Sequence, residues 1–280
     1  MYMVYFFMEG YMRALSFIGG DERNLMVSKM FDDVYMCGLS DDISNLEECI
    51  LKSENIVFPI PFSVDGKNLY MPLSNKKIEI DTLVPILKEK RIFAGKIAKN
   101  VCELLERNGN EIIDVTKEDL FIRSNAIPTA EGVIAIAVNN TKITIEESKV
   151  LVVGFGNVGK VVARKMSLLG ATVWAKDIRK QEVANIELSG YNVLEELDNS
   201  LEGMDVIINT VPELVIGKEQ FRFIRDDVLI IDVASAPGGV DYIYASSNNY
   251  NVIHALGIPG KIAPVSSAKY VKEVIEKYIE

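Results

Sequence analysis

The sequence predicts an α/β protein of two domains, each built on a parallel sheet, with a cleft between the domains and a buried helix joining them. Three observations carry this. Short apolar runs alternate with segments of helical periodicity along most of the chain, as repeated βα units do. One unit holds a glycine fingerprint, Gly154-Phe155-Gly156-Asn157-Val158-Gly159, between an apolar run and an amphipathic segment. At 280 residues the chain is long for one domain and comfortable for two.

The composition, 49% hydrophobic and 25% charged with a net charge of -10, is that of an ordinary soluble globular protein. The acidic balance argues against nucleic acid or an anionic membrane as partner, since either would want a basic face. Cys37, Cys49 and Cys102 are scattered and odd in number, which suggests neither a disulfide framework nor a metal site and fits a reducing cytoplasm. The apolar start MYMVYFFMEGYM is too short to span a bilayer and lacks the basic region and cleavage site of a signal peptide. Residues 1–11 are expected to be an appendage or the product of an upstream start codon.

The first domain is expected over 1–123. Its strands read as Leu15 to Ile18, Val34 to Cys37, Ile56 to Phe58, Arg91 to Phe93 and Glu111 to Ile113. The loops after them lie at the carboxyl edge of a parallel sheet, where such sheets bind ligands. Arg23, in Gly19-Gly20-Asp21-Glu22-Arg23-Asn24, is a candidate grip for a carboxylate because a guanidinium offers a planar fork. The competing reading is a surface arginine opening a helix. For the further substrate candidates Ser63 and Lys96 the competing readings are a hydroxyl bonded to its own loop and a solvated lysine.

Residues 114–119 read as a connector. Pro128-Thr129-Ala130-Glu131 resembles a helix start, and the apolar segment behind it predicts a buried linker helix over 128–140. Asn125, Thr129 and Glu131 would stand where that helix enters the cleft, although capping explains Thr129 and first-turn N–H groups explain Glu131.

The second domain, 124–265, carries the fingerprint. Gly154 permits the tight turn, Gly156 lets backbone N–H groups approach a pyrophosphate, and Gly159 lets the helix pack closely. Asn157 and Val158 open that helix, whose N-terminus favours phosphate. This is a Rossmann-like dinucleotide site, and with it the fold becomes two Rossmann-like domains. Asp177 follows Gly154 by about the spacing of a ribose-binding acid. Lys176, Arg179 and Lys180 around it could neutralise a 2′-phosphate, which favours NADP, with NAD as the alternative. Thr210, Val211 and Pro212 close the fourth strand, and Ala234 and Ser235 follow the fifth; both loops point to the nicotinamide end. Lys261 and Ser266 lie in a Gly- and Pro-rich loop before a final helix, 266–280, expected to pack toward the first domain. For Ser266 the competing reading is a helix cap. His254 reads as a packed strand residue.

The segments GGDERN, PIPFSVDG, NAIPTAEG, GFGNVG, INTVP, DVASAPGG and GIPGKIAP stand in the order found in the dipicolinate synthase A-subunit family, which the chain resembles from Met12 to Glu280. The resemblance implies oxidation of a dihydrodipicolinate-type intermediate of the lysine pathway to pyridine-2,6-dicarboxylate during spore formation. It also implies the small flavoprotein-like B subunit of dipicolinate synthase as partner and the cytoplasm of the sporulating mother cell. Arg23, Ser63, Lys96, Asn125, Thr129, Lys261 and Ser266 would meet the dicarboxylate, with Glu131 as base, or water or a substrate carboxylate in its place, and Lys261 as a second catalytic candidate. Other readings are a shikimate-dehydrogenase-like or 2-hydroxyacid-dehydrogenase-like enzyme, or a non-catalytic cofactor-binding partner subunit. Ser235 stands where the 2-hydroxyacid enzymes carry arginine. A homo-oligomer is compatible with all of these.

Overall fold

The computed structural model describes residues 14–279, so the expectation for residues 1–11 lies outside the described residues. In chain order the elements are β1 (Leu15–Ile18), α1 (Glu22–Ser28), β2 (Val34–Cys37), α2 (Leu46–Lys52), β3 (Asn55–Val57), α3 (Ile80–Leu83), β4 (Arg91–Ala94), α4 (Lys99–Arg107), β5 (Glu111–Asp114), α5 (Asp119–Asn140), β6 (Lys149–Val153), α6 (Asn157–Leu168), β7 (Thr172–Lys176), α7 (Lys180–Leu188), β8 (Asn192–Val193), β9 (Val206–Asn209), α8 (Lys218–Phe221), β10 (Leu229–Asp232), α9 (Tyr242–Ser247), β11 (Asn251–His254), α10 (Ile258–Ile262) and α11 (Pro264–Ile279). They fall into two units, residues 14–122 with 263–279, and residues 123–262.

The first unit is a five-stranded parallel sheet in the order β2-β1-β3-β4-β5. Both faces are covered, so its strands read as apolar runs whose successive residues feed opposite cores. Leu15, Phe17, Val57, Phe93 and Ile113 face one side with Ala268, Val271, Val274 and Ile275 of α11. Ile18, Ile56, Ile92 and Ala94 face the other with Ile50, Val101 and Leu105. The end of α11 is tied down by Glu118, which accepts hydrogen bonds from Lys277 Nζ and Tyr278 Oη at 2.7 Å each.

The second unit is a six-stranded parallel sheet, β11-β10-β9-β6-β7-β8. One face is packed by Val162, Ala163 and Met166 of α6, Ile186 of α7 and Ala130, Val133 and Ala137 of α5. The other is packed by Phe221, Ile224, Val240 and Ala245.

Helix α5 differs from expectation. It begins at Asp119 rather than 128, and Pro128 lies inside it. Proline supplies a helical φ, but it lacks the N–H that would bond the carbonyl four residues earlier, at a cost of roughly 3 kcal/mol in a helix interior. Burial of Ala126, Ala130, Val133 and Ala137 offsets that cost. Nor is the helix covered on every side, since Ile127 is 38% and Val138 58% exposed. Its core contribution differs along its length: Phe121 packs in the first unit and Ala130 in the second. At Gly132 the missing side chain makes room for Ile258 of α10, whose Cγ2 lies 2.1 Å from where a Cβ would stand.

The tightest constraint in the second sheet is at Gly159, where a Cβ would stand 2.0 Å from the Gly154 carbonyl oxygen. Gly159→Ala is therefore expected to cost about 1–3 kcal/mol of stability through overpacking. Gly203→Ala, where an added Cβ meets nothing within 4 Å, should change stability by less than about 0.5 kcal/mol. Urea unfolding midpoints of the two variants check the contrast; equal midpoints would contradict it.

Candidate functional site

In the second sheet the strand order reverses between β6 and β9, and there the glycine turn meets the loop after β9. Gly154 has φ +89° and donates its N–H to the Lys176 carbonyl at 2.8 Å. Thr210 Oγ1 donates toward the carbonyls of Val153 and Gly154 at 3.0 and 3.2 Å, fastening the β9 loop to the turn. A Cβ on Gly154 would meet Thr210 Oγ1 at 2.4 Å and Val211 Cγ2 at 2.8 Å. Above Gly156 there is space, the nearest atom to an added Cβ being Arg179 Nη2 at 3.9 Å. Gly156 is the N-cap of α6 and provides no side-chain cap, so the N–H groups that open the helix at Asn157, Val158 and Gly159 can serve an anion. An open glycine cradle beside an uncapped helix start fits a pyrophosphate.

Asp177 closes β7 beside this cradle. Its Oδ2 accepts from Phe155 N at 2.8 Å and from Arg179 Nη2 at 2.7 Å, and its Oδ1 accepts from Arg179 N and Nε at 2.9 Å each. The Arg179 bonds hold this carboxyl far below the usual carboxylate range, against the opposing effect of burial. Of the other two nearby cations, Lys176 and Lys180, the first is committed elsewhere, donating to the Glu195 carbonyl and lying 3.8 Å from Glu196.

On the other half of the sheet, the loop after β10 folds over Asp232. Ala234 is buried and gives its N–H to Asp232 Oδ1 at 2.9 Å, while Ser235 and Pro212 are exposed. Val211 N donates to Asn209 Oδ1 at 3.1 Å. His254 is exposed at the end of the edge strand β11, stacked on Tyr242 with ring centroids 4.7 Å apart, and is not the packed strand residue expected. Burial and the Asp232 contact raise the Tyr242 phenol above the usual tyrosine range.

In the first sheet the order reverses between β1 and β3, and Arg23 spans that point. It is neither a surface arginine nor simply a free grip: the residue is 5% exposed, donates from Nη2 to the Ile60 carbonyl, and lies 3.6 Å from Asp21. Its buried Nε has no hydrogen-bond partner. Neighbouring Asn24 donates to the Phe58 carbonyl at 3.3 Å, so two consecutive residues of α1 hold the loop after β3. Burial lowers the Arg23 pKa while Asp21 and Tyr70 oppose the shift. Lys96 reaches solvent from a residue with φ +55°, before α4 rather than on it. Partial burial, then the charge of Arg23, lowers its ammonium below the usual lysine range. Arg23 and Lys96 are thus brought together, with Tyr70 beside them. No motif marked Tyr70, which sits in an extended segment between β3 and α3.

The remaining candidates are placed differently. Ser63 is engaged by its own loop, donating to the Asn68 carbonyl at 2.6 Å and accepting from Gly66 N at 3.0 Å. Thr129 is buried inside α5 and bonds back to the Asn125 carbonyl at 2.8 Å, a consequence of the helix starting earlier than expected. Asn125 leaves its buried Oδ1 without a partner. Glu131 is 49% exposed and pairs with Lys165 at 2.9 Å, in the last turn of α6. That turn lies roughly 12 Å along the helix from the glycine cradle. Glu131, the residue expected as base, is thus an exposed carboxylate paired with a lysine. Lys261 is exposed on α10 and donates to the Leu256 carbonyl at 3.1 Å. Ser266 is exposed in the first turn of α11, which starts at Pro264. Among the described residues no group of three or more His, Cys, Asp or Glu could hold a metal ion, and no helix is long and apolar enough to cross a membrane.

Comparison with known proteins places both units. Residues 14–116 match the model of the N-terminal domain of the dipicolinate synthase A subunit. Residues 129–239 match the NAD binding domain of D-isomer specific 2-hydroxyacid dehydrogenases. The A subunit of dipicolinate synthase from Bacillus subtilis is 26% identical, with 95% of each chain covered. The crystal structure of the dipicolinate synthase A subunit from Bacillus halodurans superposes with a TM-score of 0.86 at 25% identity, covering 96% of this chain and 98% of that one. A transhydrogenase from Sinorhizobium meliloti, at 12% identity and a TM-score of 0.66, shares the fold over 94% of this chain and 83% of its own. Along nearly its whole length, then, the chain resembles the A subunit of dipicolinate synthase, with that family's N-terminal domain followed by a nicotinamide-dinucleotide-binding domain of the 2-hydroxyacid dehydrogenase type.

Proposed function

We propose that this chain oxidises a dihydrodipicolinate-type dicarboxylate to pyridine-2,6-dicarboxylate, as the A subunit of a dipicolinate synthase. The observation that carries the reading is that the similarity extends through both units at once, the N-terminal domain as well as the dinucleotide-binding domain. The relatives' designation as one subunit of a synthase further supports a second subunit, for which the small flavoprotein-like B subunit is our candidate, and spore formation in the mother-cell cytoplasm as the setting.

The chemistry asked of the residues is modest. Aromatisation removes one hydride and one proton from the dihydropyridine ring, and the bound nicotinamide supplies the hydride acceptor. The cradle at Gly154, Gly156 and Gly159 and the N–H groups opening α6 would hold its pyrophosphate. Arg23 and Lys96 are our candidates for the substrate carboxylates. A dicarboxylate approaching a chain of net charge -10 needs such a local cationic pocket. Asn125, Thr129, Lys261 and Ser266 contribute nothing comparable. With Glu131 paired to Lys165, water or a substrate carboxylate is the better candidate for the proton acceptor.

For the cofactor we favour NADP over NAD. Both oxygens of Asp177 already accept two N–H groups each, which leaves a ribose 2′-hydroxyl without a ready acceptor, whereas Arg179 is 57% exposed and can meet a 2′-phosphate.

Two measurements test the reading. Purified chain, with and without the B subunit, is incubated with the product of dihydrodipicolinate synthase and NADP or NAD. Dipicolinate should form together with reduced cofactor, and no dipicolinate under any combination would refute the proposed activity. Arg179→Ala should weaken NADP binding by about tenfold or more, the loss of a charge-assisted contact, while NAD binding holds or improves as Asp177 is released. Equal loss for both cofactors would remove Arg179 from the 2′-phosphate.

A further inference from the structure

We infer that Asp232 is a positioning residue for the nicotinamide half of the cofactor, acting through the two loops it holds; the inference rests on the nicotinamide-binding reading above. Asp232 is the last residue of β10 and is 0% exposed. A carboxylate so buried requires several donors, and it has them. Oδ1 accepts from Asn209 Nδ2 at 3.0 Å and Ala234 N at 2.9 Å; Oδ2 accepts from Gly239 N at 2.7 Å and Tyr242 Oη at 2.6 Å.

These donors come from different loops. Asn209 ends β9, also fully buried, and its Nδ2 reaches the Val211 carbonyl at 2.9 Å as well. Ala234 and Gly239 are at the two ends of the loop after β10, and Tyr242 opens α9. The neighbourhood has no spare volume: a Cβ on Gly239 would stand 2.3 Å from Asn209 Nδ2, and one on Gly238 would stand 2.9 Å from Asp232 Oδ2. One carboxylate therefore fixes the loops that end β9 and β10, and the β9 loop is itself fastened to the glycine turn by Thr210.

The position in the sheet says which part of the cofactor this serves. In a doubly wound sheet the two halves on either side of the switch point each take one mononucleotide. Asp177 stands on the β6-β7-β8 half, the adenosine side, so β9-β10-β11 serves the nicotinamide side. Asp232 is buried under that edge and holds it without meeting the ligand. A residue with this role matters to the intact dinucleotide and not to its adenosine fragment, whereas a residue that only stabilises the fold affects both or neither.

The test measures dissociation constants of NADPH and NADH, and of ADP and its 2′-phosphate, for wild type, Asp232→Asn and Tyr242→Phe, with unfolding midpoints alongside. Asp232→Asn should weaken the dinucleotide that wild type binds by about tenfold, as loss of charge-assisted hydrogen bonds does, and leave the matching fragment within about twofold. Should Asp232→Asn not fold, Tyr242→Phe carries the same split at about threefold. Parallel loss of dinucleotide and fragment, or no loss of either, overturns the inference. Failure of the wild type to bind either dinucleotide would instead overturn the nicotinamide reading on which it rests.

Discussion

The cofactor side depends on a contact that only glycine permits, the seating of Gly159 against the Gly154 carbonyl. Because no Cβ intervenes, α6 can start directly beneath the turn, and its first N–H groups stand beside the open surface of Gly156. The same close approach brings the turn against the end of β9, where Thr210 can fasten it and Asn209 can pass the constraint on to Asp232. The turn, the start of α6 and the ends of β7 and β9 thus meet around one packing contact.

The two sheets solve a shared problem with different residues. In each, the strand order reverses once near the middle, and the loops on either side of that point carry exposed backbone groups that need partners. The second sheet uses neutral side chains and a buried carboxylate. The first uses a cation, with Arg23 and Asn24 tying the loop after β3 to α1. That guanidinium is buried, lies 3.6 Å from Asp21 and keeps one donor, Nε, without a partner.

Much of this was legible because both sheets are parallel and covered on both faces, so that Ile56 to Phe58 and the run before Gly154 stand out as uninterrupted apolar segments. The start of α5 was not legible. Proline marks a first helical turn in most settings, and nothing local revealed that packing of Ala126 and Ala130 would carry the helix through Pro128. The pairing of Glu131 was not legible either, since its partner Lys165 lies 34 residues away. The role of Asp232 at the end of β10 was hidden because its partner Asn209 lies 23 residues back. Tyr70 left no pattern at all.

In the reaction we propose, electrons leave a ring dicarboxylate as a hydride taken up at this chain's dinucleotide site, and not by way of a partner's flavin. A dihydrodipicolinate deuterated at its saturated ring carbons tests that most directly, with the reduced nicotinamide isolated after turnover and its deuterium measured. The account predicts one deuterium in each reduced cofactor for each dipicolinate formed. Dipicolinate accumulating while the nicotinamide stays oxidised, or becomes reduced without deuterium, would contradict it.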